Sequence, residues 1–221
     1  MKRNNPQIID LSWTISEDMP IYPGDPALKI SGGRTDQEDG FSLKTLMSAM
    51  HVGTHLDAPS HFLGNGGDVL SIPLEDTLGL ATKLKISPTG QVIKTDDLAR
   101  MYELSPQKHR MIVIDSGYAK NKNRPDYFTE YPSFETSLTD FLKEKSITLI
   151  GLDMPSIRYA DGGGARAHQE LLNEKIVIVE NLTNLEQVDD KFLLIALPLK
   201  LAGFDGSMIR AVAINRWKTF Y

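Results

Sequence analysis

Three of the five histidines in the chain lie close together in sequence, and an aspartate lies among them. His51, His55, Asp57 and His61 fall within one short segment that also holds Gly53. In an extended chain alternate side chains point to the same side, so positions 51, 55 and 57 should converge, with the glycine leaving space between them. Two imidazoles and a carboxylate suit zinc, manganese or iron(II), and fewer than four protein ligands leave a place for a reactive water. The segment therefore predicts a metal site with His51, His55 and Asp57 as ligands.

The local conformation of the motif has an alternative, because a helix would also place His51 and His55 on one face. Gly53 with its two β-branched neighbours, and Pro59 beyond them, disfavour helix, so we predict extended chain. Pro59 then turns the chain and places His61 away from the three ligands. A general base has to stand near a metal-bound water without occupying its coordination site, and imidazole titrates near neutral pH. We therefore predict that His61 transfers protons.

A purely structural role for the clustered histidines is the competing interpretation. Four convergent candidates are harder to explain in that way, so the metal site is favoured. The opposite holds for His109, which lies in a charged run and is predicted to lie on the surface. Because the chain has no cysteine, any metal has to be held by His, Asp, Glu, backbone or water.

The elements around the motif are predicted from apolar patterns. Strand-like runs cover residues 7–14, 42–50, 82–86, 111–115, 147–153, 176–180, 192–197 and 210–214. Helical spacing covers residues 95–103 and 134–145, and a proline-rich segment over 19–26 predicts a rigid extended loop. The helix over 134–145 followed by a fully apolar strand favours a parallel strand pair. We therefore predict an α+β fold, a single domain over residues 1–221, with mixed parallel and antiparallel sheets and peripheral helices.

The composition excludes several classes of protein. With 221 residues, of which 41% are hydrophobic and 24% charged, the chain suits one globular domain. The 24 basic and 29 acidic residues give a net charge of −5 and leave no long basic stripe, so no nucleic-acid partner is expected. No stretch approaches the roughly 20 apolar residues of a membrane span, and the first residues lack the apolar region of a signal peptide. We expect a cytoplasmic enzyme that acts on a small molecule and not at a membrane.

Residues 51–62 resemble the His-x-Gly-Thr-His-x-Asp-x-Pro-x-His-Phe motif of the metal-dependent cyclase family, whose best-known members are bacterial kynurenine formamidases. Further similarity covers most of the chain, through residues 9–12, 20–25, 149–153, 168–172, 180–185, 196–199 and 210–213. By this resemblance the metal ligands are His51, His55, Asp57, His168 and Glu180, the last two at a second metal position. The resemblance also implies His61 as the catalytic histidine, a swivelling β/β/α architecture, and a homodimer or homotetramer.

Two of these ligands have little support from spacing alone. Three consecutive glycines, at residues 162–164, predict a mobile loop before His168. Glu180 ends an ordinary apolar strand, and a carboxylate in that position is often only solvated.

The activity implied by the resemblance is hydrolysis of an aryl formamide such as N-formylkynurenine. Metal-bound hydroxide would attack the formyl carbonyl, and His61 would move the proton toward the leaving amine. The expected cofactor is one or two divalent ions per subunit, zinc or alternatively manganese. Trp13, Tyr22 and Phe62 are candidate walls for an aryl substrate, although each could equally pack in the core.

Other activities stay open at this point. The family also includes hydrolases of the cyclic amide isatin and polyketide-cyclase-like members, and fold and metal do not choose between these. A metal-stabilised protein that binds a small molecule without turnover is the alternative outside enzymes. His61 discriminates against it, because binding alone needs no spare imidazole beside the water.

Overall fold

The computed structural model describes residues 6–35, 41–88, 91–106 and 108–216. Three α-helices form within these residues, α1 (Thr95–Leu104), α2 (Leu138–Glu144) and α3 (Gly164–Asn173). The strands are β1 (Gln7–Asp10), β2 (Lys29–Thr35), β3 (Ser42–Met47), β4 (His55–Asp57), β5 (Leu78–Lys85), β6 (Val92–Ile93), β7 (Met111–Asp115), β8 (Ser133–Phe134), β9 (Leu149–Leu152), β10 (Val177–Glu180), β11 (Lys191–Ile195), β12 (Gly206–Met208) and β13 (Val212–Asn215).

Nine of the strands form one mixed sheet in the order β1-β13-β11-β5-β7-β9-β10-β4-β12. The four strands from β5 to β10 in this order are parallel, and the strands on either side of them are antiparallel. Parallel neighbours need crossover connections, and α1, α2 and α3 lie in turn within the three connections between the parallel strands. The prediction of an α+β domain with a mixed sheet is confirmed.

The sheet is covered on both faces, as the apolar sequence of its central strand requires. All five residues of β7 are buried. Ile112 and Ile114 belong to the core cluster that also holds residues of all three helices, including Leu98, Phe141 and Leu171. Met111 and Val113 belong to a second cluster on the opposite face, together with residues of β1 and β11. The helices therefore pack on one face of the sheet. The second core cluster covers the other face.

Several predicted boundaries differ from the structure. The helix predicted over 134–145 begins only at Leu138, because Phe134 pairs with Ile93 in the short β6–β8 ladder. The strand predicted over 42–50 ends at Met47 and pairs only with β2, in a two-stranded sheet separate from the large one. The helix over 95–103 and the strand over 111–115 are confirmed. In the described residues no helix is long and apolar enough to cross a membrane.

Candidate metal centre

The short strand β4 carries the centre of the histidine motif and lies between β10 and β12. It pairs antiparallel with β10, with Glu180 opposite His55 and Ile178 opposite Asp57. Directly opposed residues in such a pair have Cβ atoms about 4.5–5.5 Å apart, so the register brings the Glu180 carboxylate beside the His55 ring. The strand predicted over 176–180 therefore runs beside the histidine motif. This pairing explains how Glu180 can belong to the same site as His55.

The segment before β4 is bent rather than extended. Gly53 has a φ of +61°, and a Cβ there would lie 2.8 Å from Ile15 Cδ1. The glycine therefore serves a left-handed turn and close packing against the 13–19 segment, not the clearing of space between ligands. His51 reaches the site through this turn, so the prediction of one continuous extended strand was wrong over residues 51–54.

His168 lies on α3, which the sequence analysis missed. Of the three glycines predicted to form a mobile loop, Gly162 and Gly163 lie in a loop, and Gly164 begins the helix. Ala167, His168, Leu171 and Leu172 form the buried face of the helix, at helical spacing. That apolar spacing was the signal that could have found the helix, and it turns the His168 ring toward the sheet.

The four side chains of β4, β10 and α3 converge. The His55 Nε2 atom lies 3.4 Å from Glu180 Oε2 and 3.6 Å from Asp57 Oδ1. The His168 Nε2 atom lies 3.4 Å from Glu180 Oε1 and 3.5 Å from Asp57 Oδ2. These separations exceed the usual N–H···O range. They match the spacing of about 3.3–3.4 Å that follows for two atoms each bound at 2.0–2.1 Å to a tetrahedral ion.

Asp57 links two groups of ligand atoms. The first group is His51, Asp57 and His61, and the second is His55, Asp57 and Glu180; within each group the ligand atoms lie within 4.8 Å of one another. Asp57 Oδ2 is buried and, within the described residues, accepts no hydrogen bond. A buried carboxylate oxygen without a donor is costly, and a cation would satisfy it. The donor set of this structure therefore fits a divalent metal.

Hydrogen bonds to the backbone set the orientation of two of the rings. His55 Nδ1 donates to the Gly53 carbonyl at 2.9 Å, and His168 Nδ1 donates to the Gly164 carbonyl at 2.8 Å. A carbonyl can only accept, so Nδ1 carries a proton in both rings, and Nε2 is the nitrogen that faces the carboxylates and could bind a metal. Asn181 donates to the same Gly53 carbonyl and accepts from the Tyr127 hydroxyl, which holds this arrangement from behind.

The charges of the site are strongly coupled. Asp57 and Glu180 are almost fully buried. Burial acts to raise the pKa of both carboxyl groups, but the neighbouring imidazoles hold each pKa below its ordinary value. Burial acts to lower the pKa of His51, but the hydrogen bond and the charge of Asp57 raise it to about 9. The two buried carboxylates therefore require positive charge beside them, which protonated imidazoles or a divalent cation can supply.

His61 ends a single 3-10 turn, Pro59–His61, that follows β4. Its ring stacks on that of His51, with 3.7 Å between the ring centroids, and its Nδ1 atom lies 3.3 Å from Asp205 Oδ2. Burial lowers the pKa of His61. The sequence analysis missed Asp205, which lies 144 residues away along the chain and has no motif around it that indicates such a role.

A cavity of about 450 Å³ opens over the histidine rings and Glu180. Tyr22 and Phe62 line it, together with Phe128 and Tyr131, two aromatic residues that the sequence analysis did not select. Trp13 lies in the buried core instead, with its ring against that of Tyr127 at a centroid distance of 5.4 Å. The structure therefore places two of the three candidate aryl walls at the cavity and Trp13 in the core.

The chain resembles known proteins in sequence and in fold. Residues 9–158 match the sequence profile of a family described as putative cyclase. Kynurenine formamidases from Bacillus thuringiensis subsp. konkukian (strain 97-27) and Bacillus mycoides (strain KBAB4) are each 32% identical to the chain, covering 92% and 93% of it and 95% and 96% of their own lengths. Isatin hydrolase A from Labrenzia aggregata has a similar fold, with a TM-score of 0.84, 22% identity, and coverage of 95% of this chain and 93% of that one.

Proposed function

Since the chain belongs to the putative cyclase family, we propose that it hydrolyses the C–N bond of an aryl formamide such as N-formylkynurenine with a divalent cation. Its kynurenine formamidase relatives support a hydrolase acting on a C–N bond outside peptides. One observation carries the proposal: donor atoms from β4, β10 and α3 converge at metal-ligand spacing on the wall of an aromatic cavity.

The cation would be held by the side chains that converge there, namely His51, His55, Asp57, His168 and Glu180. Nitrogen and carboxylate ligands in this number suit zinc, with manganese as the alternative. Because Asp57 lies beside both His51 and His55, we infer one or two ions per subunit. A bound divalent ion would lower the pKa of a coordinated water and polarise the substrate carbonyl.

His61 is proposed to move the proton in this reaction. Hydrolysis adds water across the C–N bond, so the leaving amine nitrogen gains a proton as formate and an aryl amine are released. The lowered pKa of His61 keeps its ring neutral near pH 7, with one nitrogen free to accept a proton and return it. Its side chain is about a quarter exposed at the cavity, which allows contact with the substrate.

The aromatic walls favour an aryl substrate. Tyr22 and Phe128 meet edge to face, with 5.5 Å between ring centroids, and Tyr131 and Phe62 also face the cavity. Aromatic pairs of this geometry offer both ring faces and ring edges for packing. The volume of about 450 Å³ suits a single-ring substrate with a short side chain.

Formate release from N-formylkynurenine tests this proposal. We expect the purified, zinc-loaded protein to release formate, and we expect a chelator to stop the reaction until zinc is returned. Isatin is the matched alternative substrate, measured by ring opening under the same conditions. Faster opening of isatin than of the formamide would favour the cyclic-amide alternative, and binding of either compound without turnover would favour the binding-protein alternative.

We also propose a homodimer or homotetramer. The β2–β3 hairpin lies outside the main sheet and exposes Phe41, Leu43, Leu46 and Met47. An isolated two-stranded hairpin is marginally stable in water, and several exposed apolar side chains on one hairpin indicate an interface. A second copy of the chain is the proposed partner.

Positive charges introduced on the hairpin are expected to disrupt the oligomer. Replacing Leu43 and Met47 together with lysine should lower the mass in solution from that of an oligomer to about that of one chain, because the interface would have to bury two charges. Light scattering coupled to size-exclusion chromatography measures this mass. Leu104→Lys, at an exposed leucine that ends α1, is the control and should keep the parent mass. An unchanged mass in the hairpin variant would contradict this interface.

A further inference from the structure

Asp205 is the one acidic side chain within hydrogen-bond reach of His61 in the described structure. Its Oδ2 atom lies 3.3 Å from His61 Nδ1 and also 3.3 Å from His51 Nε2. Only the contact with His61 has hydrogen-bond geometry, since His51 Nε2 has no such partner among the described residues. The Asp205 carboxylate therefore faces both rings, and its hydrogen bond is with His61.

Backbone hydrogen bonds hold Asp205 beside the histidine motif. Its carbonyl accepts a hydrogen bond of 2.9 Å from the Ala58 amide, directly before the turn that carries His61. The next residue, Gly206, pairs with Asp57 in the β12–β4 ladder. A Cβ at position 206 would lie 2.6 Å from His51 Cε1, so only glycine allows this close approach. Strand pairing therefore fixes the backbone position of Asp205 next to His61.

Other contacts of His61 set the plane of its ring but not which nitrogen faces the cavity. The ring stacks on His51 at an interplanar angle of 20° and meets the Phe62 ring nearly at right angles. Both contacts would be similar if the ring rotated by half a turn about its Cβ–Cγ bond. A neutral imidazole has one donor and one acceptor nitrogen, and a carboxylate beside Nδ1 selects the form with the proton there.

We propose that Asp205 is a positioning residue for His61: it accepts the Nδ1 proton and so keeps the Nε2 lone pair toward the substrate. This inference rests on the proposed role of His61 in proton transfer. Asp205 lines the same cavity and also lies 3.3 Å from His51 Nε2, so the test has to separate an effect through His61 from one through the proposed metal ligand His51.

A double-mutant cycle tests this coupling. We expect Asp205→Ala to lower kcat for the aryl formamide by about 10- to 100-fold, with KM and zinc content nearly unchanged. In a chain that already carries His61→Ala, adding Asp205→Ala should cost almost nothing more, because the two residues act as one unit. Asp205→Asn keeps an oxygen acceptor and should recover part of the loss. Asp190→Ala, at an exposed aspartate outside the cavity lining, is the control.

The tautomer of His61 gives a second measurement that does not depend on turnover. In zinc-loaded wild-type protein, ¹⁵N NMR should show the His61 proton on Nδ1, and Asp205→Ala should shift the ring toward a mixture of tautomers. Equal tautomer populations in both proteins, multiplicative losses in the cycle, or loss of zinc in parallel with kcat would each overturn the proposal. If wild-type protein hydrolysed no formamide, the proposed function would fail, and the NMR measurement would still decide the role of Asp205.

Discussion

Replacing both His55 and Asp57 with alanine is expected to remove bound metal and to lower formamide hydrolysis by about 10³-fold or more. Asp57 contributes to both groups of ligand atoms, and His55 Nε2 faces both Asp57 and Glu180. Loss of a Lewis acid removes several kcal/mol of transition-state stabilisation, and each 1.36 kcal/mol is a factor of about ten in rate. Elemental analysis should find one or two divalent ions per parent subunit and almost none in the variant.

The control for this double variant uses the same residue types away from the cavity. His109→Ala combined with Asp190→Ala should keep the metal content and the rate of the parent, because neither side chain lines the cavity. The double variant leaves the Glu180 carboxylate buried beside fewer positive groups, with a hydrogen bond of 2.9 Å from the Ile157 amide. Circular dichroism therefore has to check that the variant folds. If the double variant does not fold, Asp57→Asn, which keeps the shape of the side chain, replaces it. Unchanged metal content in a folded variant would show that the metal site is misassigned.

Replacing His61 with alanine is expected to lower turnover by about 10²- to 10⁴-fold while the metal content stays the same. His61 lies on the turn after β4, stacked on His51 and hydrogen-bonded to Asp205, rather than between the carboxylates of Asp57 and Glu180. Proton transfer by a positioned imidazole is lost in the variant, but the main donor set of the metal is intact.

The alternative to proton transfer is that His61 binds the metal, because its ring nitrogen lies within 4.8 Å of ligand atoms of His51 and Asp57. That role predicts that metal content and activity fall together. Formate release and metal content measured on the same samples separate the two roles, with His109→Ala as the matched histidine control. Hydrolysis at the parent rate by His61→Ala would rule out the proposed proton transfer.

The positions of His55 and Asp57 relative to each other could be predicted from the sequence, because the two residues belong to one short strand. His55 and Asp57 are two residues apart in a strand, so their side chains share a side whatever the rest of the fold does. Pro59 limits the backbone after them, and a turn follows as expected. The prediction for residues 51–54 was wrong because the left-handed conformation of Gly53 is set by packing against Ile15, which no local pattern reveals.

The distant part of the site was harder to predict. Glu180 became a candidate only through family resemblance, because a carboxylate at the end of an apolar strand has no distinctive local pattern. His168 was obscured by the three glycines at 162–164, the last of which begins α3, although the buried face of that helix follows an ordinary apolar spacing. Trp13 was a candidate as an aromatic residue, and in the structure its ring packs against the Tyr127 ring in the core.

The sequence by itself determined the types of the candidate ligands, the α+β class, the mixed sheet and the apolar strands of its centre, because side-chain chemistry and the periodicity of burial are local properties. Only the tertiary structure decided which strand lies beside β4, in which register, and on which side α3 and Asp205 approach. Those choices bring together groups more than a hundred residues apart, and they are fixed by burial of whole faces of the sheet at once. A shift of one residue in the β4–β10 pairing would turn Glu180 to the other face of the sheet, and the site would lose a buried carboxylate without any change in composition.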